Sequence, residues 1–114
     1  MESEYRRAHK IEINRRIVAE MVALARERGR PILFVQFVGR GQLGRRGWRD
    51  EFLEGLFVEL GVPWVDTRKE LSEAALAEAI SAADYYGADG HLNAAGSAVV
   101  ARAVERKLRE ELLR

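Results

Sequence analysis

The chain has 114 residues, no cysteine and a formal net charge of +1. That length fits one domain or part of a larger one. The missing cysteines exclude disulfides, thiolate nucleophiles and Cys-based metal sites, and the balanced charge gives no global field toward nucleic acid or anionic lipid. Hydrophobic residues make up 47% and charged residues 32%, which suits a globular core under a well-solvated surface. No apolar run approaches the roughly 20 residues that span a bilayer. The opening Met1-Glu2-Ser3-Glu4-Tyr5-Arg6-Arg7 has no apolar core after its charges, so it does not read as a signal peptide. The expected setting is cytoplasmic, without a membrane partner.

Residues 4–28 carry Ile13, Ile17, Met21, Leu24 and Ala25 at spacings of three and four, which predicts one apolar helical face. Gly29 ends that helix and Pro31 keeps it from resuming. The run 32–38 (Ile-Leu-Phe-Val-Gln-Phe-Val) fits a strand covered on both faces. Residues 39–47 hold several glycines and arginines and read as a loop. Helical spacing returns over 48–60 through Phe52, Leu53, Leu56, Phe57 and Leu60, and Gly61 stops it. Residues 62–66 predict a second, shorter strand. Ser72 and Glu73 predict the start of a short helix reaching Ile80, with a loop over 81–92. Asn93 is the expected N-cap of a last helix whose apolar face includes Val100, Ala103, Val104, Leu108 and Leu112.

This alternation predicts an α/β fold: a three-layer parallel sheet flanked by helices. Two strands make a marginal sheet, so the sheet is expected to be incomplete. Residues 1–114 then form a single domain that is part of a larger one, or that another chain completes.

The segment Asp89-Gly90-His91-Leu92-Asn93-Ala94-Ala95-Gly96 carries the most chemistry. A carboxylate two residues before an imidazole, on a loop entering a helix, can supply the acid and base of a hydrolytic triad. With the helix over 97–113, this block resembles the last block of the SGNH (GDSL-type) hydrolase superfamily. The upstream order of long helix, "PILFV" strand, helix and "GVPWVDT" strand is similar too, as in the C-terminal half of such a domain. The resemblance implies a flavodoxin-like fold of the SGNH type and ester hydrolysis or acyl transfer without a cofactor. It assigns Asp89 as the orienting acid and His91 as the general base, with Asn93 and Gly96 shaping the helix start. Many members place the acid three residues before the histidine, where this chain places it two before.

Other parts of that pattern are missing. The sequence has no Gly-Asp-Ser block and no Gly-x-Asn-Asp block, so the nucleophile and oxyanion-hole donors of the family have no counterpart. Of the four serines, Ser3 lies near the terminus, Ser72 reads as a helix cap, Ser81 sits at a helix exit and Ser97 lies in the first turn of the last helix. None has the neighbouring base that activates a hydroxyl. Hydrolysis is therefore expected to be impaired in this chain alone.

Plainer readings stand beside this one. Asp89 or Asn93 can simply cap free amides. His9 and His91 lack metal-ligand spacing, so no metal is expected. Arg40, Arg45, Arg46 and Arg49 surround Trp48, a composition that could grip anions or single-stranded nucleic acid, although nucleic acid is not the expected partner. Gly39-Arg40-Gly41-Gln42-Leu43-Gly44 fits a dinucleotide-loop spacing, but the helix does not begin at its last glycine. If the resemblance holds, Arg45 and Arg46 border the active site and could contact an acyl ester or acylated sugar. The alternative is a non-catalytic binding or assembly module, a homodimer or a complex with a complementing chain, that completes the sheet through its exposed edge.

Overall fold

Ser3 opens the first helix, its hydroxyl accepting the Arg6 amide at 3.1 Å, so a side chain satisfies one of the free donors of the first turn. The computed structural model of the chain describes residues 3–112. Met1, Glu2, Leu113 and Arg114 lie outside the described residues, and so does the last position of the helix expected over 97–113. Two compact units emerge: residues up to Ile32 with Trp48–Val62, and Leu33–Gly47 with the chain from Pro63 onward.

The first unit pairs helix α1 (Glu4–Glu27) with helix α2 (Trp48–Leu60). Gly29 at φ 64° and Gly61 at φ 66° end these helices in the left-handed conformation that glycine adopts without steric cost. Arg15 pairs with Glu59 at 2.8 Å, and the Arg26 guanidinium donates to the Leu60 carbonyl. The buried positions of α1 are Val18 and Val22. The expected core face is corrected here: Ile13, Ile17, Met21 and Leu24 are each 43–50% exposed. The helix carries two apolar stripes, and periodicity alone does not say which one is covered.

The second unit holds strand β1 (Phe34–Gln36) parallel to strand β2 (Trp64–Asp66), with Phe34 opposite Trp64, Val35 opposite Val65 and Gln36 opposite Asp66. Helix α3 (Thr67–Glu78) follows β2 without a gap. Asp66 ends the strand and caps that helix, its carboxylate accepting the Arg68 amide at 3.1 Å. The buried Thr67 hydroxyl donates to the Gln36 carbonyl at 2.8 Å, fastening the helix start to β1. Helix α4 (Ala94–Leu112) packs against α3 around Leu71, Ala75, Tyr85, Tyr86, Val99 and Val100. Burial of Leu71, Val99 and Val100, each worth about 1.5–3 kcal/mol, helps to hold this unit together. Arg106 on α4 bonds Glu70 on α3 at 2.7 Å.

The expected three-layer α/β architecture is therefore wrong. Among the described residues there are helices of 24, 13, 12 and 19 residues and only a two-stranded parallel sheet. The apolar run 32–38 forms a ladder over only three residues, and Phe37 just beyond it is 64% exposed. An apolar run marks burial without fixing strand length or neighbours. The helix expected from Ser72 instead begins at Thr67, because the Asp66 cap lies upstream of the point where apolar periodicity becomes visible. Among the described residues no helix is long and apolar enough to cross a membrane.

Candidate functional site

Asp89 and His91 lie in the loop between a short 3-10 turn, Ala82–Tyr85, and α4. The loop is closed by its own backbone. Gly87 N–H donates to the His91 carbonyl at 2.8 Å, and Gly90 N–H donates to the Gly87 carbonyl at 3.0 Å. Gly90 takes φ 84°, a conformation that suits glycine. Tyr86 and Leu92 form an antiparallel bridge at the base of the loop.

The Asp89 carboxylate holds the histidine at two points. Oδ1 accepts the His91 backbone N–H at 3.0 Å, and Oδ2 lies 3.2 Å from ring Nδ1. A carboxylate can only accept, so a neutral ring in this contact carries its proton on Nδ1 and leaves the Nε2 lone pair available. The backbone bond, followed by the side-chain bond to the same residue, holds the Asp89 carboxyl below its ordinary pKa. Both side chains stand largely in water, 72% exposed for Asp89 and 86% for His91. Solvent screening keeps such a pair weak, and orientation of the ring is its main consequence.

His91 lines an open cleft of about 470 Å³ whose walls are otherwise apolar, formed by Phe37, Val38, Tyr86 and Leu92. Tyr86 is buried, and its hydroxyl donates to the Val38 carbonyl at 2.8 Å. This bond ties the site loop to the chain leaving β1. Burial raises the Tyr86 pKa, and the positive charge of Arg68 offsets part of that rise.

Asn93 acts at the helix start. Its Oδ1 accepts the Gly96 amide at 2.9 Å, its Nδ2 donates to the Asp84 carbonyl at 2.8 Å, and its backbone N–H donates to the Tyr85 carbonyl at 2.9 Å. Arg45 and Arg46 are exposed, and neither is among the residues that line the cleft. Trp48 and Arg49 belong to the α1–α2 unit, whereas Arg40, Arg45 and Arg46 belong to the other. None of the four serines lines the cleft either. Ser3 and Ser81 cap helices, accepting Arg6 N–H and Ala83 N–H. Ser72 sits within α3, and Ser97 lies exposed in α4.

Sequence reasoning passed over Arg68. It is 9% exposed and donates from Nε and Nη2 to the Gln42 carbonyl at 3.3 and 2.9 Å, and from Nη2 to the Arg45 carbonyl at 3.2 Å. The side chain thus braces the glycine-rich loop from inside. Arg40 adds a bond from that loop to the Gly87 carbonyl at 3.3 Å. An arginine next to a helix start gives no sequence signal for either burial or bracing. Among the described residues no group of three or more His, Asp or Glu side chains could hold a metal ion.

No protein-family model, no curated protein and no solved structure matches this chain.

Proposed function

We propose that the chain supplies the acid–base half of a serine hydrolase site of the SGNH type, with Asp89 as the orienting acid and His91 as the general base. The observation that supports this is the double hold of Asp89 on His91, which leaves Nε2 as the basic nitrogen beside an apolar cleft. The sequence of the Asp89–Gly96 block supports it independently. The substrate class is an acyl ester whose acyl portion lies against Phe37 and Leu92. The serine hydroxyl that His91 would deprotonate comes from polypeptide outside these residues. Taken alone, the dyad is limited to what an oriented imidazole can do: Nε2 attacks an activated ester, the alcohol leaves, and water hydrolyses the acyl-imidazole.

The test combines p-nitrophenyl acetate hydrolysis with fluorophosphonate labelling read by intact mass and peptide mapping. His91→Ala is expected to remove most of the protein-dependent hydrolysis, His9→Ala to leave it in place, and all four serines to stay unlabelled. A His91-dependent adduct on any serine would show a complete hydrolase and overturn the half-site reading. Equal rates in the two histidine variants would overturn the dyad itself.

A further inference from the structure

We infer that α1 is the interface of a homodimer, in which two copies of the chain lay their α1 helices antiparallel across a twofold axis at the level of Val18. Ile13, Ile17, Met21 and Leu24 form a half-exposed apolar stripe on this helix. At the α-helical repeat the four fall within about 80° of one another around the axis. The buried pair Val18 and Val22 is centred roughly a third of a turn away, so covering the stripe leaves the buried face in place.

The side chains beside the stripe indicate what covers it. His9, Arg16, Glu20 and Glu27 are exposed and lie on one edge of the stripe, within about 40° of one another. Their spacings of seven, four and seven positions read the same from either end, and the midpoint is Val18. Donors occupy the first half of this pattern and carboxylates the second. The stripe from Ile13 to Leu24 is centred within one residue of the same level. An antiparallel second copy therefore sets Arg16 against Glu20 and His9 against Glu27, each pair twice by symmetry. It also sets Ile13 beside Leu24 and Ile17 beside Met21. Arg16 already bonds Glu12 through Nε at 2.9 Å, and a guanidinium has further N–H donors for a second carboxylate. A parallel copy would turn this edge toward Arg7, Asn14 and Ala25 on the other edge, where no carboxylate stands. An anionic membrane is disfavoured by Glu20 and Glu27, which adjoin Met21 and Leu24. One helix pair falls below the roughly 1,200–2,000 Å² of stable interfaces, so the dimer is reversible and micromolar. The dyad of Asp89 and His91 belongs to the other unit, and the inference stands or falls separately from the hydrolase reading.

Sedimentation equilibrium over roughly 5–500 µM, a span that brackets micromolar affinity, tests it on the full chain. The average mass is expected to climb from 12.9 kDa toward twice that value. Arg16→Glu and Glu20→Arg each place like charges across the axis and are expected to weaken self-association roughly tenfold, whereas an equimolar mixture of the two variants recovers it. The chain has no cysteine, so single cysteines report orientation. Ile13→Cys and Leu24→Cys proteins, one of them 15N-labelled, are expected to form mainly the mixed disulfide in a glutathione buffer. Antiparallel packing holds like positions about 15–18 Å apart along the axis, beyond the about 7 Å that a disulfide spans. A mass that stays at 12.9 kDa throughout, no recovery on mixing the charge variants, or like-position disulfides as abundant as mixed ones would each overturn the inference. A monomer that binds phosphatidylserine vesicles would overturn it too, and would assign the stripe to a membrane surface.

Discussion

Gly96 and Tyr85 meet backbone to backbone. A Cβ built on Gly96 would overlap the Tyr85 carbonyl oxygen and lie 2.9 Å from both Tyr85 Cβ and Leu92 Cδ2. The same carbonyl accepts the Asn93 amide, so the first turn of α4 is seated on the residue that precedes the site loop. The segment bearing Asp89 and His91 is therefore pinned at both ends, by Tyr85 on one side and by Asn93 and Gly96 on the other. Its short span gives the acid and the base little freedom to separate.

That seating makes Gly96→Ala costly despite the gain in helix propensity. Overpacking against rigid backbone typically costs about 1–3 kcal/mol, and urea denaturation is expected to show a loss of that size. Gly55 is the control. It lies inside α2, and a Cβ there would meet nothing within 4 Å. Gly55→Ala should stabilise by about 0.5–1 kcal/mol. Equal effects at the two glycines would mean that α4 is not seated as described.

Tyr86→Phe removes the hydroxyl that satisfies the Val38 carbonyl. A loss of about 1–2 kcal/mol is expected for a buried bond of this kind. The effect depends on pH. The folded-state pKa of Tyr86 is raised above its ordinary value of 10.0, so its contribution is complete below that value and is lost as pH rises through the folded one. The wild-type advantage over Tyr86→Phe in denaturant midpoint should accordingly shrink in alkali. An advantage that grows with pH would contradict the assignment.

Arg68→Met keeps much of the buried stem and removes the guanidinium bonds to the Gln42 and Arg45 carbonyls. Hydrogen bonds to charged groups are worth about 1.5–3 kcal/mol, and the loss should be felt first in the loop they brace. Hydrogen exchange at the Gln42, Leu43 and Arg45 amides, which close that loop through bonds to Gly39, Arg40 and Gln42, is expected to accelerate. Unchanged exchange there would show that the loop holds its shape without Arg68.

Asp89 gives an acid-side prediction. Its folded-state pKa is depressed, first by the His91 backbone N–H and then by the His91 ring. The stabilisation is present above the ordinary carboxyl value of 3.8 and is lost as pH falls through the folded one. Carboxyl 13C titration should place the Asp89 midpoint below that of an unstructured aspartate. His91→Ala should move it upward only part of the way, because the variant keeps the backbone N–H that is the first cause of the depression.

Much of this was legible in the sequence where punctuation and periodicity coincide. The expected helix over 48–60 matches α2 residue for residue, between its aromatic start and Gly61. The expected Asn93 cap is seen in its bond to Gly96 N–H. The extent of the sheet is not legible, because an apolar run carries no information on how many neighbours a strand has. The covered face of α1 is not legible either, because two apolar stripes share one helix. In the site, the closeness of Asp89 and His91 followed from their spacing. The contributions of Tyr86 and Arg68 did not, since they depend on contacts across 48 and 26 positions of chain that no local pattern encodes.

The central claim is that Asp89 fixes the His91 ring with its proton on Nδ1 and a basic Nε2. Long-range 1H–15N correlation spectra of the histidine side chains, recorded above the imidazole titration, test it most directly. The account predicts a protonated Nδ1 and a lone-pair Nε2 at His91 in the wild type, with a shift toward the Nε2–H tautomer in Asp89→Ala. A His91 ring that is predominantly Nε2–H in both proteins would contradict it.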